Sequence, residues 1–209
     1  MAKSQVEAPP GMVHVPAGAF VFGRRQRLEL PDFWIDVHPV TNRDYALFVQ
    51  ETGHRPPAGW PADGPGEDLL DLPVVHVTFD DARAYAASLG KRLPTPAEFE
   101  KAARGPDGRK YPWGDQVGVR TTNTRESAIG HLLPVGTFRE GRSPYGCYDM
   151  AGNVLHWTRG APEQDPGQRV LKGCSYGHYL GAASWSHTAP ASAREDWLGF
   201  RCVWSPEGT

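Results

Sequence analysis

Sulfur is scarce in this chain, with three cysteines and three methionines among 209 residues. An odd cysteine count without a CxxC pair supports neither a disulfide framework nor a zinc ribbon. Cys147, Cys174 and Cys202 therefore read as small buried hydrophobes in a reducing compartment. An excess of one charge is also missing. The 22 Lys and Arg stand against 24 Asp and Glu, a formal charge of −2, so no global field gathers phosphates and nucleic acid is not an expected partner. No stretch of about 18 apolar residues occurs, and MAKSQVEAPPGMVHVPAG has no apolar signal core. Neither a membrane span nor a secretory leader is expected, leaving a cytoplasmic or phage-associated location as the default.

What the chain has in plenty is Gly (24) and Pro (20), about a fifth of its residues, where ordinary usage gives roughly 12%. Much of the chain must sit in turns. Seven tryptophans and an aromatic content of 11% make those turns ordered rather than disordered. Few Cys and Met with many Pro and Arg suit a thermophile or a GC-rich genome. With no repeat and no composition break, the expectation is a flexible tail over 1–11 and one α+β domain over 12–209, large enough for a core without staples.

Three short helices are written in one grammar. Thr41 with Asp44, Thr78 with Asp81 and Thr95 with Glu98 are capping boxes, and Pro96 suits a first helical position. Tyr45, Phe48 and Val49, then Ala82, Tyr85, Ala86 and Leu89, then Phe99, Ala102 and Ala103 form the apolar stripes, and Gly53, Gly90 and Gly105 are the stops. MVHVPAGAFVFG reads as a strand or hairpin and PDFWIDV as a strand. The second half reads as irregular and poor in β-structure, with short strand-like pieces at LLPVGTF, NVLHW and GFRCVW.

Five phrases go further than pattern: HPVTNRDYALFV, PVVHVTFDDARAYAASLGKRLPTPAEFEKAARG, YPWGD, YGCYDMAGNVLHWT and GFRCV. In this order, across residues 12–204, they resemble the formylglycine-generating-enzyme, or sulfatase-modifying-factor, family. The resemblance implies an elaborated C-type lectin fold of that type: α+β and loop-rich, with short helices on small antiparallel sheets. Trp113 and Trp157 are its expected loop anchors, read here as core aromatics. The family's calcium site would fall on the Asp149 carboxylate and the carbonyls of Met150, Gly152 and Val154, with Asn123 a weaker second position. His156 stands where the family carries Glu in a WEW-like phrase, and the bland alternative is a structural turn around Gly152 and Asn153.

The family enzyme oxidises a substrate cysteine with copper held by two nearby thiolates before the GFR phrase. This chain has no cysteine between Ser175 and Arg201, so the resemblance stops short of the chemistry. The alternative reading is a formylglycine-generating-enzyme-like or related metal-dependent oxidase, the latter using His156, His178 and His187. The preferred one is a non-catalytic binding protein that needs no cofactor beyond a structural calcium. Residues 172–201 set Tyr176, His178, Tyr179, Trp185, His187, Arg194, Glu195, Asp196 and Trp197 among Ser and Gly, the composition of a paratope. The chain thus resembles the variable proteins of diversity-generating retroelements, whose variable stretch lies just before GFR. The implied partner is a protein or glycan on a cell or particle surface; no Glu-Pro-Asn calcium-lectin motif is present.

Overall fold

The computed structural model describes residues 8–118 and 120–206. Of the expected tail, residues 1–7 lie outside the described residues, and Gly11 already belongs to the domain, since its carbonyl accepts from Val37 N at 2.9 Å.

All three capping boxes form. Thr41 closes the N-terminus of α1 (Asn42–Thr52), Thr78 that of α2 (Phe79–Ser88) and Thr95 that of α3 (Pro96–Arg104), each hydroxyl accepting from the third helical amide while the carboxylate accepts from the cap amide. Each such cap contributes about 0.5–2 kcal/mol. Gly53 ends α1 in the left-handed region at φ 70, a conformation glycine adopts without steric cost. The expected stripes are buried, Val49 only partly, with one clear exception. Leu89 is 48% exposed, because α2 ends at Ser88 and Leu89 is its C-cap rather than part of its inner face.

The strands β1 (Met12–Val15), β2 (Gly18–Phe22), β3 (Gln26–Leu30) and β4 (Phe33–Asp36) do not make the hairpin that MVHVPAGAFVFG offers. β1 pairs with β4, β2 with β3, and Pro16 separates them. The second half is richer in β-structure than its sequence indicates. β5 (Leu155–Trp157), β6 (Gln168–Gly173), β7 (Ser186–Pro190) and β8 (Leu198–Gly199) form a four-stranded sheet in the order β7-β6-β5-β8. β9 (Val203–Trp204) returns to pair with β4, Trp34 opposite Trp204. LLPVGTF is not a strand. The Asn153 side chain takes the partner strand's place, donating to Leu133 O at 2.9 Å and accepting from Leu133 N at 3.0 Å, and Pro134 has no amide to extend a ladder.

Two apolar clusters make the core, one of α1, α2 and the β5 sheet and one of β1, β4 and α3. Trp157 is fully buried with its indole N–H on Val77 O at 3.0 Å. Trp113 is only half-buried, stacked on Tyr111 at 5.3 Å with its N–H on Gln116 O at 2.9 Å. It anchors a loop rather than the core. No helix among the described residues is long and apolar enough to cross a membrane.

Candidate functional site

α3 buries charge as well as carbon. Glu100 is 0% exposed and holds the Arg104 guanidinium at 2.5 Å and the Lys172 ammonium at 2.8 Å. Lys172, also 0% exposed, comes from the end of β6. Its remaining donors reach Ser184 O at 3.2 Å, Trp185 O at 3.0 Å and Ser186 Oγ at 3.4 Å. A buried ammonium needs this many partners to offset its desolvation. One consequence is that the far end of the loop between β6 and β7 is fastened from beneath.

The near end of the loop is fastened too. Buried Ser175 meets His178 Nδ1 at 2.6 Å and accepts from Gly177 N at 3.3 Å, while Tyr176 N donates to Asn153 O at 3.2 Å. Arg125 N donates to His178 O at 2.9 Å, and Leu180 N donates to both Glu126 carboxylate oxygens at 3.0 and 3.1 Å. These bonds tie the loop to the body of the domain. Two large aromatics are left in solvent: Tyr179, 65% exposed with the Arg125 guanidinium 4.7 Å above its ring, and Trp185, 58% exposed. Trp185 lies flat on Gly181, where a Cβ would come within 2.6 Å of its indole.

His178, His187 of β7 and Trp197 converge between those aromatics and the core, ring centroids 5.5 Å apart for the two histidines and 4.9 Å for His178 and Trp197. Burial lowers both imidazole pKa values, and in each case a neighbouring base (His187 for His178, Lys172 for His187) adds to it. Tyr176 hydrogen-bonds Asp196; burial first, then that bond and the Asp196 charge, push the phenol up to about 12. Glu195 and Asp196 are exposed. Arg194 pairs with Asp81 at 3.0 Å and donates to His76 O at 3.1 Å, so it fastens the segment to α2. The nine sequence-predicted residues therefore comprise a half-buried cluster, two exposed aromatics, two exposed carboxylates and one anchor. Lys172, Glu100, Ser175, Arg125 and Glu126, which hold them, were missed. A lysine closing the apolar run VLKG was the available signal.

The matched domain is the Sulfatase-modifying factor enzyme 1-like domain, over residues 1–206. The chain belongs to this family. Inactive C-alpha-formylglycine-generating enzyme 2 of Mus musculus is 33% identical over 267 aligned positions, covering 93% of this chain and 85% of the relative. That alignment is longer than the 209 residues here, so the relative inserts segments that this chain lacks. The Formylglycine-generating enzyme of Thermomonospora curvata is 30% identical, with 98% of this chain and 96% of the relative covered. Among solved structures, Treponema denticola variable protein 1 superposes with a TM-score of 0.73 at 18% identity, over 93% of this chain and 95% of that one, a likeness of fold. The α+β, C-type-lectin-like architecture expected from sequence is the one found.

The family's copper chemistry requires thiolates, and the thiols here do not fit it. Cys147, Cys174 and Cys202 are buried, and burial is the main cause that raises each pKa, well above the usual thiol range for Cys202. Each has its own surroundings: Ser143 for Cys147, Tyr179 O at 3.3 Å for Cys174, Asp36 for Cys202. The histidine alternative fails on placement. His156 is fully buried, between Phe99 at 5.0 Å and Arg201 Nη2 at 3.3 Å, and burial holds its imidazole neutral, well below its ordinary pKa. It does not join His178 and His187, and among the described residues no three His, Cys, Asp or Glu are grouped to hold a metal.

Calcium fits no better. Asp149 accepts from Gly136 N at 2.9 Å, Gly152 O from Val154 N at 2.9 Å, Asn123 O from Asn153 N at 2.8 Å, and Asn153 Oδ1 from Asn123 Nδ2 at 3.2 Å. Met150 is fully buried and Val154 leads into β5. A calcium ion takes 6–8 oxygens from carboxylates, carbonyls and water; this segment offers one carboxylate, and the Asp149, Gly152, Asn123 and Asn153 oxygens already accept hydrogen bonds. Those bonds are what a structural turn around Gly152 and Asn153 would make.

Proposed function

We propose that this domain is a non-catalytic binding protein that uses the Tyr176–Trp197 segment to recognise a protein or glycan on a surface. The observation that carries the reading is the pairing of two solvent-facing aromatics, Tyr179 and Trp185, with a loop fastened by Lys172, Arg125 and Glu126. Aromatic side chains give large contact area with few torsions to freeze, and a preorganised loop has little ordering cost on association. The three thiols, all buried and protonated, support the same reading against oxidation of a substrate cysteine. A relative carrying the word inactive and a fold shared with a variable protein are in keeping with it.

The test has two arms. Incubation with copper(I), oxygen and a cysteine-bearing peptide is expected to yield no peptidyl aldehyde; turnover would refute the non-catalytic half. Sequencing the locus in sibling isolates is expected to place substitutions at Tyr176, His178, Tyr179, Trp185, His187, Glu195, Asp196 and Trp197, with Lys172, Ser175 and Glu100 unchanged. Substitutions spread evenly over the chain would remove the recognition half.

A further inference from the structure

A cavity of about 660 Å³ opens beside this face, within the roughly 300–1,000 Å³ of sites that enclose small organic ligands. Tyr111, Val117, Ile129, Phe138 and Leu180 supply its apolar walls. Val117 is 70% exposed, an apolar side chain in water at the edge of an apolar hollow. The hydroxyls between these walls have their protons committed to the protein: Thr121 donates to Gly118 O at 3.2 Å, Thr122 to Ala151 O at 2.5 Å and Ser127 to Thr124 O at 2.7 Å. What they leave for an occupant is methyl groups and spare lone pairs. Arg120 and Glu126, both exposed, add one charge of each sign to the lining, so neither sign of ligand is favoured.

The walls are braced. The 3-10 turn Arg125–Ser127 is tied to the neighbouring loop through Arg125 N on His178 O, and Leu180 N caps the Glu126 carboxylate. Asn153 N donates to Asn123 O at 2.8 Å from the other side. A hollow kept open by backbone bonds costs little to occupy.

We propose that this cavity is a binding site for a neutral apolar group of ring size, aromatic or branched aliphatic. The site stands independently of the recognition reading, because none of its apolar walls except Leu180 comes from the segment proposed to meet a surface. Titration of the full chain with indole, followed by amide chemical shifts, is expected to show saturable one-site binding with Kd on the order of 1 mM or tighter. The cation tryptamine and the anion indole-3-acetate should bind no more tightly. Ile129→Trp, which fills the hollow with carbon, should weaken indole about tenfold or more, and Leu180→Phe provides a second filling variant should the first fail to fold by circular dichroism. Leu47→Ser, on the exposed side of α1, should change nothing. No saturable binding, unaltered binding in a folded filling variant, or a tenfold preference for either charged analogue would overturn the proposal.

Discussion

Residues 174–185 and residues 149–154 lie side by side, joined by the bond from Tyr176 N to Asn153 O at 3.2 Å, and neither is helix or strand. The turn at 149–154 directs its polar groups inward, to Gly136, Leu133 and Asn123, and buries Met150, Ala151, Gly152, Asn153 and Val154. The loop at 174–185 is held as tightly, by Lys172, Glu126 and Ser175, yet it leaves Tyr179 and Trp185 in water. Irregular backbone can therefore be fixed with two outcomes: one segment is buried and supports, the other is supported and keeps Tyr179 and Trp185 in solvent.

The largest effect expected to break this contrast is removal of the ammonium under the loop. Lys172→Met leaves Glu100 buried with only Arg104 and Gly23 N as partners, an imbalance that typically costs about 3–5 kcal/mol. Urea denaturation measures it, and adding Glu100→Gln should recover part of the loss; a cost under about 1 kcal/mol would mean the loop is held by something else. Glycine scanning sharpens the contrast at smaller scale. A Cβ at Gly152 meets the Thr122 hydroxyl and the Asn123 backbone, O at 2.9 Å and N at 3.1 Å, whereas one at Gly177 meets only Ser175 Oγ at 3.9 Å. Gly152→Ala should destabilise by about 1–3 kcal/mol and Gly177→Ala by under about 0.5 kcal/mol.

Acidification should separate the two regions by sign. The folded pKa values of His178 and His187 are below the ordinary 6.5, so their contribution is present above pH 6.5 and lost as pH falls through the folded values. Asp149 is opposite. Burial raises its carboxyl from 3.8 to about 6, against the Gly136 amide and Arg201, so its contribution is full below 3.8 and lost as pH rises through about 6. Between pH 7 and 5 the loop should lose stability and the turn gain it. His187→Gln should flatten the acid loss, and Asp149→Asn should flatten the loss on the rise through pH 6 by an amount on the order of 1 kcal/mol or more, both read from denaturation curves between pH 4 and 8.

The helices were legible because their signals are local. Thr, the acidic residue three positions on and the closing glycine carry the whole instruction within one turn of chain. β6 and β7 were not legible, because QRVLKG and SHTAP lack alternation: Lys172 points into the protein toward a carboxylate on α3, and β7 is mostly exposed, with only Ala189 buried. Leu89 failed in the other direction, its periodicity continuing one residue past the end of its helix. At the site, the aromatic and small-residue composition pointed to the segment that carries the exposed Tyr179 and Trp185, while Arg194, equal to the others in a sequence reading, is engaged by Asp81.

By itself the sequence determined the family phrases, the three capped helices and the lack of any cysteine between Ser175 and Arg201, all of which depend on residue identity and short spacing. Only the tertiary structure decided which side chains of the terminal segment reach solvent, that Lys172 and Glu100 meet across 72 residues, and that the Asp149 turn is bonded to Gly136, Leu133 and Asn123. Those outcomes depend on which distant groups desolvate one another, and the energy of a buried charge or an exposed ring is set by neighbours that no local pattern names.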